Sequence, residues 1–105
     1  MSGAPGPGPE FSIKRFPIDS RLAFFRVVVS HEAGIDRVAT LVEMLQQRLT
    51  DVTSEMKTTL KEDGTAFIMA FLADKQFMTK GDMAAFCGEV AKEHARLSGI
   101  DQETE

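Results

Sequence analysis

The sequence of 105 residues contains no Trp and no Tyr, and all eight of its aromatic side chains are Phe. Tyr and Trp are enriched at binding hot spots, whereas Phe has no polar group and usually fills a core. The aromatic composition therefore predicts structural side chains and gives no support to a surface that stacks on nucleobases.

Cysteine and long apolar segments are also scarce. Cys87 is the single Cys, so an internal disulfide is excluded, which fits a reducing compartment. Neither a secretory signal pattern nor a run of about 18 apolar residues is present. From these absences we expect a cytoplasmic protein with no membrane partner.

The chain lacks a concentrated positive charge. Its net charge is −4, and residues 11–48 contain six Lys and Arg against four Asp and Glu. Nucleic-acid-binding domains usually gather a much larger basic excess on one face. We therefore expect no nucleic-acid partner.

Composition divides the chain into three parts. Residues 1–10 consist almost entirely of Gly, Pro and small side chains, which predicts a disordered tail. Residues 100–105 form a short acidic tail that we expect to fray. Residues 11–99 remain as one domain, a size that buries about two-thirds of its unfolded surface.

Two apolar runs, residues 22–29 and 66–73, have the length of buried strands. Residues 11–16 alternate apolar and polar side chains and stop at Pro17, which predicts a short edge strand. An amphipathic helix follows the first run, since apolar side chains recur at three- and four-residue steps from Ile35 to Leu49. Either Ser30 caps this helix directly, or Gly34 makes the turn and the helix starts at Ile35. A second helix begins after Thr79, whose spacing from Asp82 resembles a capping box, and Gly99 marks its expected end.

Residues 50–64 permit two interpretations. A continuing helix would extend the apolar seam through Val52 and Met56 into a coiled-coil-like rod. A strand would place Met56, Thr58 and Leu60 on one face, followed by a turn in which Gly64 takes a positive φ. The β-branched residues of this segment favour the hairpin.

The predicted fold class is therefore α+β: a ferredoxin-like sandwich with a mainly antiparallel sheet and two helices on one face. Within that group, residues 25–73 resemble the first three strands of an ACT regulatory domain. The resemblance rests on residues 27–35 (VVVSHEAGI), on the helix after them, and on residues 62–69 (EDGTAFIM). The N-terminal strand is available for the sheet position that the final strand of such domains occupies.

ACT domains are non-catalytic, usually pair through their sheets or helices, and often bind an amino acid near the first strand–helix turn. The resemblance thus implies a small-molecule ligand near that turn, at Ser30, His31, Gly34 and Ile35. An anion there would also meet the free amides of a helix N-terminus.

No set of residues converges on a catalytic or metal centre. Cys87 and His94 lie seven residues apart on one helix face, about 10 Å by helix rise, too far for a nucleophile and its base. His31 and His94 are the only histidines and lack the spacing of a zinc site. The carboxylates of Glu62 and Asp63 lie beside a turn glycine, where solvated acids are ordinary. We expect no metal, no cofactor and no enzymatic activity.

The first strong strand is apolar on both of its faces, which implies that a partner covers one of them. The predicted interface residues are Phe24, Phe25, Val27, Val29, Met44 and Met78. These observations favour a regulatory or protein-interaction module that acts as a homodimer or as a subunit of a complex. The alternative is an ACT-like domain that senses an amino acid.

Overall fold

The computed structural model describes residues 8–103, and residues 1–7 and 104–105 of the two predicted tails lie outside this range. The elements follow the order β-β-α-β-β-α. They are β1 (Pro9–Pro17), β2 (Leu22–His31), α1 (Ile35–Leu49), β3 (Thr53–Leu60), β4 (Ala66–Asp74) and α2 (Lys80–Glu103).

The four strands form one sheet in the order β1-β2-β4-β3, and every neighbouring pair is antiparallel. Helix α1 packs on β2 and β4, while α2 packs on β1 and on α1. The expected α+β architecture, with an antiparallel sheet and two helices, is confirmed.

Alternate residues of the central strands face the helices and form the core. Phe25 of β2 pairs with Phe71 of β4, and their rings stack with centroids 5.9 Å apart. Both side chains are fully buried. The other large, fully buried side chains are Val27, Val29, Val38, Leu41, Leu45, Leu49, Met69, Met83 and Cys87.

The structure answers the open question over residues 50–64 in favour of the hairpin, because α1 ends at Leu49 and β3 pairs with β4. The connecting turn depends on Gly64, which has a φ of 74°. Beside it, the Asp63 carboxylate accepts hydrogen bonds from the Thr65 amide at 3.1 Å and the Thr65 hydroxyl at 2.7 Å.

β3 contains an irregularity that the periodic pattern did not indicate. Between Ser54 and Lys57 the register with β4 shifts, so Glu55 and Met56 lie opposite Phe71 alone. Glu55 takes a positive φ of 56°, and Met56 packs partly against the core. The shift is a β-bulge, which disrupts the hydrogen-bond ladder at this edge of the sheet.

The ends of the two outer elements differ from the predicted boundaries. β1 begins at Pro9, so Pro9 and Glu10 belong to the sheet rather than to a tail. α2 continues through Gly99 to Glu103, since glycine lowers helix propensity without preventing a helix. Its start is as predicted: Thr79 Oγ1 accepts from the Asp82 amide at 3.0 Å, and Asp82 Oδ2 accepts from the Thr79 amide at 2.9 Å.

Candidate functional site: the open sheet face

Both helices lie on one side of the sheet, so the opposite side is uncovered by any element in the range 8–103. We call this side the open face. The strand register arranges its central residues in three rows that cross all four strands. The rows are Phe16–Phe24–Leu72–Ser54 (the aromatic row), Lys14–Arg26–Ala70–Lys57 (the basic row) and Ser12–Val28–Ile68–Thr59 (the aliphatic row).

The basic row places three cations on a chain that is acidic as a whole. Lys14, Arg26 and Lys57 are all exposed, and none of them forms a salt bridge within the described part of the chain. Lys14 and Arg26 are direct cross-strand partners. Like charges in that position destabilise a sheet, so the row has an energetic cost that packing does not explain.

The rows on either side of it expose apolar surface. The side chain of Phe16 is 49% exposed and lies against Phe24, with ring centroids 6.0 Å apart. Val28, Ile68 and Leu72 are half-buried although they occupy the middle strands. A partly exposed apolar surface in the centre of a sheet is typical of an interaction site.

The edges of the sheet, by contrast, are poorly suited to pairing with another strand. β1 begins and ends with proline, at Pro9 and Pro17, and each lacks a backbone N–H donor. β3 carries its bulge at Glu55 and Met56. Prolines and bulges both oppose strand addition at an exposed edge, so the face is the better contact surface.

The residues predicted at an interface occupy three different places. Phe24 lies on the open face. Phe25, Val27 and Val29 are at most 1% exposed and pack inside the core, which corrects their assignment to an interface surface. Met44 packs partly against the core, and Met78 is 54% exposed in the connection before α2. Side chains of β2 alternate between the two sides of the sheet, and the chain's own helices cover the side that carries Phe25, Val27 and Val29.

Two of the four residues predicted to bind a ligand lie at a cavity, and the other two do not. Ser30 and His31 line a shallow cavity together with Glu10, Glu32 and Thr65. The His31 Nδ1 atom accepts a hydrogen bond from the Ala33 amide at 2.9 Å, so this nitrogen is already occupied.

Neither of the other two predicted ligand residues lines this cavity. Gly34 makes the turn into α1 with a φ of 117°, and Ile35 packs against the core. Gly34 thus supplies the positive φ that the turn into α1 requires.

The two candidate reactive side chains are buried in separate contacts. Cys87 is 1% exposed, and burial raises the pKa of its thiol to about 12. A thiol with that pKa is almost entirely protonated at neutral pH and is a poor nucleophile. His94 is 6% exposed and bonds to Thr40 rather than to Cys87. Across residues 8–103 we find no cluster of three or more His, Cys, Asp and Glu side chains that could hold a metal ion.

Comparisons with family models, with curated proteins and with solved structures give no match to this chain. Among the residues that the structure describes, neither helix has both the length and the apolar character needed to cross a membrane.

The basic row is the feature that sequence reasoning missed. Its members lie at positions 14, 26 and 57, on three different strands, and only the register brings them into one line. The sequence did contain two of its members as visible exceptions: Arg26 interrupts the apolar run of β2, and Lys14 occupies a polar position in the alternation of β1. Pairing those two positions required knowledge of the β1–β2 register.

Proposed function

We propose that this protein is a non-enzymatic protein-interaction module that acts in the cytoplasm, as a dimer or as a subunit of a larger complex. The open face is its docking surface. The observation that carries the proposal is the apolar surface on either side of the basic row, which the chain's own helices leave uncovered.

The physical reason is the free energy of apolar surface in water. Burial of such surface contributes roughly 25 cal/mol per Å². A partner that covers Val28, Ile68 and Leu72 therefore forms a complex that is stabilised by the burial of these side chains. Because the edge strands oppose strand addition, docking on the face is the mode of association that this sheet favours.

The topology of the sheet resembles that of a ferredoxin-like sandwich. From β2 onward the order is strand, helix, two strands and helix, with β2 and β4 as central neighbours. β1 lies beside β2, at the position where the last strand of a ferredoxin-like sheet would lie. We regard the domain as a ferredoxin-like sandwich of ACT type in which the N-terminal strand takes that place.

Site-specific photo-crosslinking in the native cells tests the proposal. A photoreactive amino acid replaces Thr59 on the open face in one variant and Lys92, exposed on α2, in a matched control. We expect crosslinks to one protein species, or to a second copy, from position 59 and not from position 92. Equal crosslinking at both positions, or none at position 59 together with a strict monomer in sedimentation, would contradict the proposal.

Thermal shift measurements with amino acids separate this function from the sensor. A ligand at 100 times its dissociation constant stabilises the folded state by about 2.7 kcal/mol. We expect no amino acid to raise the melting temperature. A clear increase that is lost in a Ser30→Trp variant would instead establish the ligand site at the turn after β2.

A further inference from the structure

We propose that the open face binds an acidic amphipathic helix of a partner protein, with a line of carboxylates on the basic row and apolar side chains on the two rows beside it. This inference rests on the proposed function and names the chemistry of the partner.

The centre of the open face is positively charged. Its three central rows contain Lys14, Arg26 and Lys57 and no acidic residue. The acids that the register assigns to this face lie at its two ends, with Glu10 opposite Ser30 and Asp74 opposite Leu22. The centre of the face therefore attracts anionic groups although the whole chain has a net charge of −4.

A second copy of this chain is a poor occupant of the face. A symmetric dimer buries the same patch on both subunits, so two open faces would bring two basic rows together. Those cations would lose water without gaining carboxylate partners, and uncompensated buried charge is strongly unfavourable. A heterologous partner that supplies carboxylates removes this penalty.

The spacing of the row indicates the shape of that partner. Neighbouring strands lie about 4.8 Å apart, so the row from Lys14 to Lys57 spans about 15 Å. A helix rises 1.5 Å per residue, and about ten residues cover this length. Side chains three and four positions apart form a line on one helix face, and apolar residues can flank that line on both sides.

Single-stranded nucleic acid fits the face less well. Bases bind by stacking on aromatic rings, but the only rings here, Phe16 and Phe24, are both in one row at one side of the cations. The other apolar side chains of the two flanking rows, Val28, Ile68 and Leu72, are aliphatic. Aliphatic surface on both sides of a charged line suits a protein helix.

Fluorescence anisotropy with the full chain and a designed peptide tests the proposal. The probe is a labelled helical peptide of about 14 residues with glutamates along one line and leucines on both flanks. Its matched control carries Gln at every Glu position. We expect the Glu peptide to bind at least about tenfold more tightly than the Gln peptide, with a difference that shrinks as salt is added.

Variants of the chain locate the binding site. Arg26→Glu should weaken binding of the Glu peptide by about tenfold or more, because it replaces attraction with repulsion. Lys92→Glu makes the same change of charge on the exposed side of α2 and should leave the affinity within about twofold. Circular dichroism checks that both variants keep the fold.

The outcomes distinguish failure of this inference from failure of the proposed function. Equal affinity for the two peptides, absence of binding, or no effect of Arg26→Glu overturns the acidic helix and leaves protein interaction standing. Dimerisation of the chain that is abolished by Phe24→Asp would also overturn the acidic helix and leave protein interaction standing. Tighter binding of an oligouridylate of similar length, also lost in Arg26→Glu, overturns both proposals in favour of nucleic acid.

Discussion

His94 Nε2 on α2 lies 2.8 Å from the hydroxyl oxygen of Thr40 on α1, and this hydrogen bond joins the two helices. His94 is the only polar or charged side chain that is buried among the described residues. The Thr40 hydroxyl also lies 3.1 Å from the Arg37 carbonyl oxygen within its own helix. The contact therefore joins α2 to α1 through an imidazole, a side chain that can take up a proton when the pH falls.

Stability should decrease as the pH falls below about 6.5. Burial lowers the pKa of His94 from its ordinary value of 6.5, and the positive charges of Arg37 and His31 lower it further. Below pH 6.5 the unfolded chain takes up a proton that the folded chain does not, so the free energy of unfolding falls with the pH and levels off only below the lower, folded pKa.

Urea unfolding between pH 8 and pH 5 measures this effect. The pH dependence should be reduced in His94→Gln, which has no imidazole at this position. An identical pH dependence in the wild-type chain and in His94→Gln would contradict the assignment to His94.

Cys87 should be almost unreactive in the folded protein. Its side chain is 1% exposed, and burial raises the pKa of the thiol to about 12, so both access and thiolate are lacking. A disulfide reagent at pH 8 should modify the native chain at least about 100-fold more slowly than the urea-unfolded chain. Rapid stoichiometric modification without unfolding would show that α2 opens readily from the sheet.

Two glycines should respond in opposite directions to replacement by alanine. Gly64 has a φ of 74°, so Gly64→Ala forces a side chain into the left-handed region and should cost roughly 1 kcal/mol. Gly88 lies in α2 with no atom within 4 Å of a Cβ, and Gly88→Ala should stabilise the helix by roughly 0.5–1 kcal/mol. Chemical denaturation of both variants measures the two changes, and a gain in stability for Gly64→Ala would argue against this turn.

Arg26→Glu should stabilise the folded chain while it weakens docking on the open face. The substitution changes the Lys14–Arg26 pair from like to opposite charges, which is worth roughly 0.2–1 kcal/mol in favour of folding. Denaturant midpoints of Arg26→Glu and Arg26→Gln measure it, with Glu expected to stabilise more. A decrease in stability would mean that Arg26 has a structural role that its exposure does not reveal.

Local patterns determined much of the fold. The helical spacing of apolar residues correctly predicted α1 from Ile35 to Leu49, and the alternation of Met56, Thr58 and Leu60 favoured the strand that forms there. The Thr79–Asp82 capping box formed as its spacing indicated. Each of these signals depends on residues within a few positions of one another, so sequence alone contains it.

The features that sequence reasoning missed depend on distant residues. The bulge at Glu55 and Met56 exists only relative to β4, and the burial of Phe25, Val27 and Val29 depends on which side of β2 the helices cover. The candidate site is the extreme case, because no short segment contains the basic row. A shift of one residue in any strand would have sent its side chains to the other face.

The strand order β1-β2-β4-β3 also divides the chain into two halves with the same order of elements. Residues 9–49 form one strand–strand–helix unit, residues 53–103 form another, and only residues 50–52 connect them. Within the sheet, a two-fold rotation about an axis between β2 and β4 exchanges the two strand pairs, since both outer strands occupy edges and both inner strands are antiparallel neighbours. The helices depart from this relation, because α1 packs on both inner strands and α2 packs on β1. Cleavage of the chain at residues 50–52 would therefore yield two fragments with matching exposed strand edges, suited to reassociate by complementation.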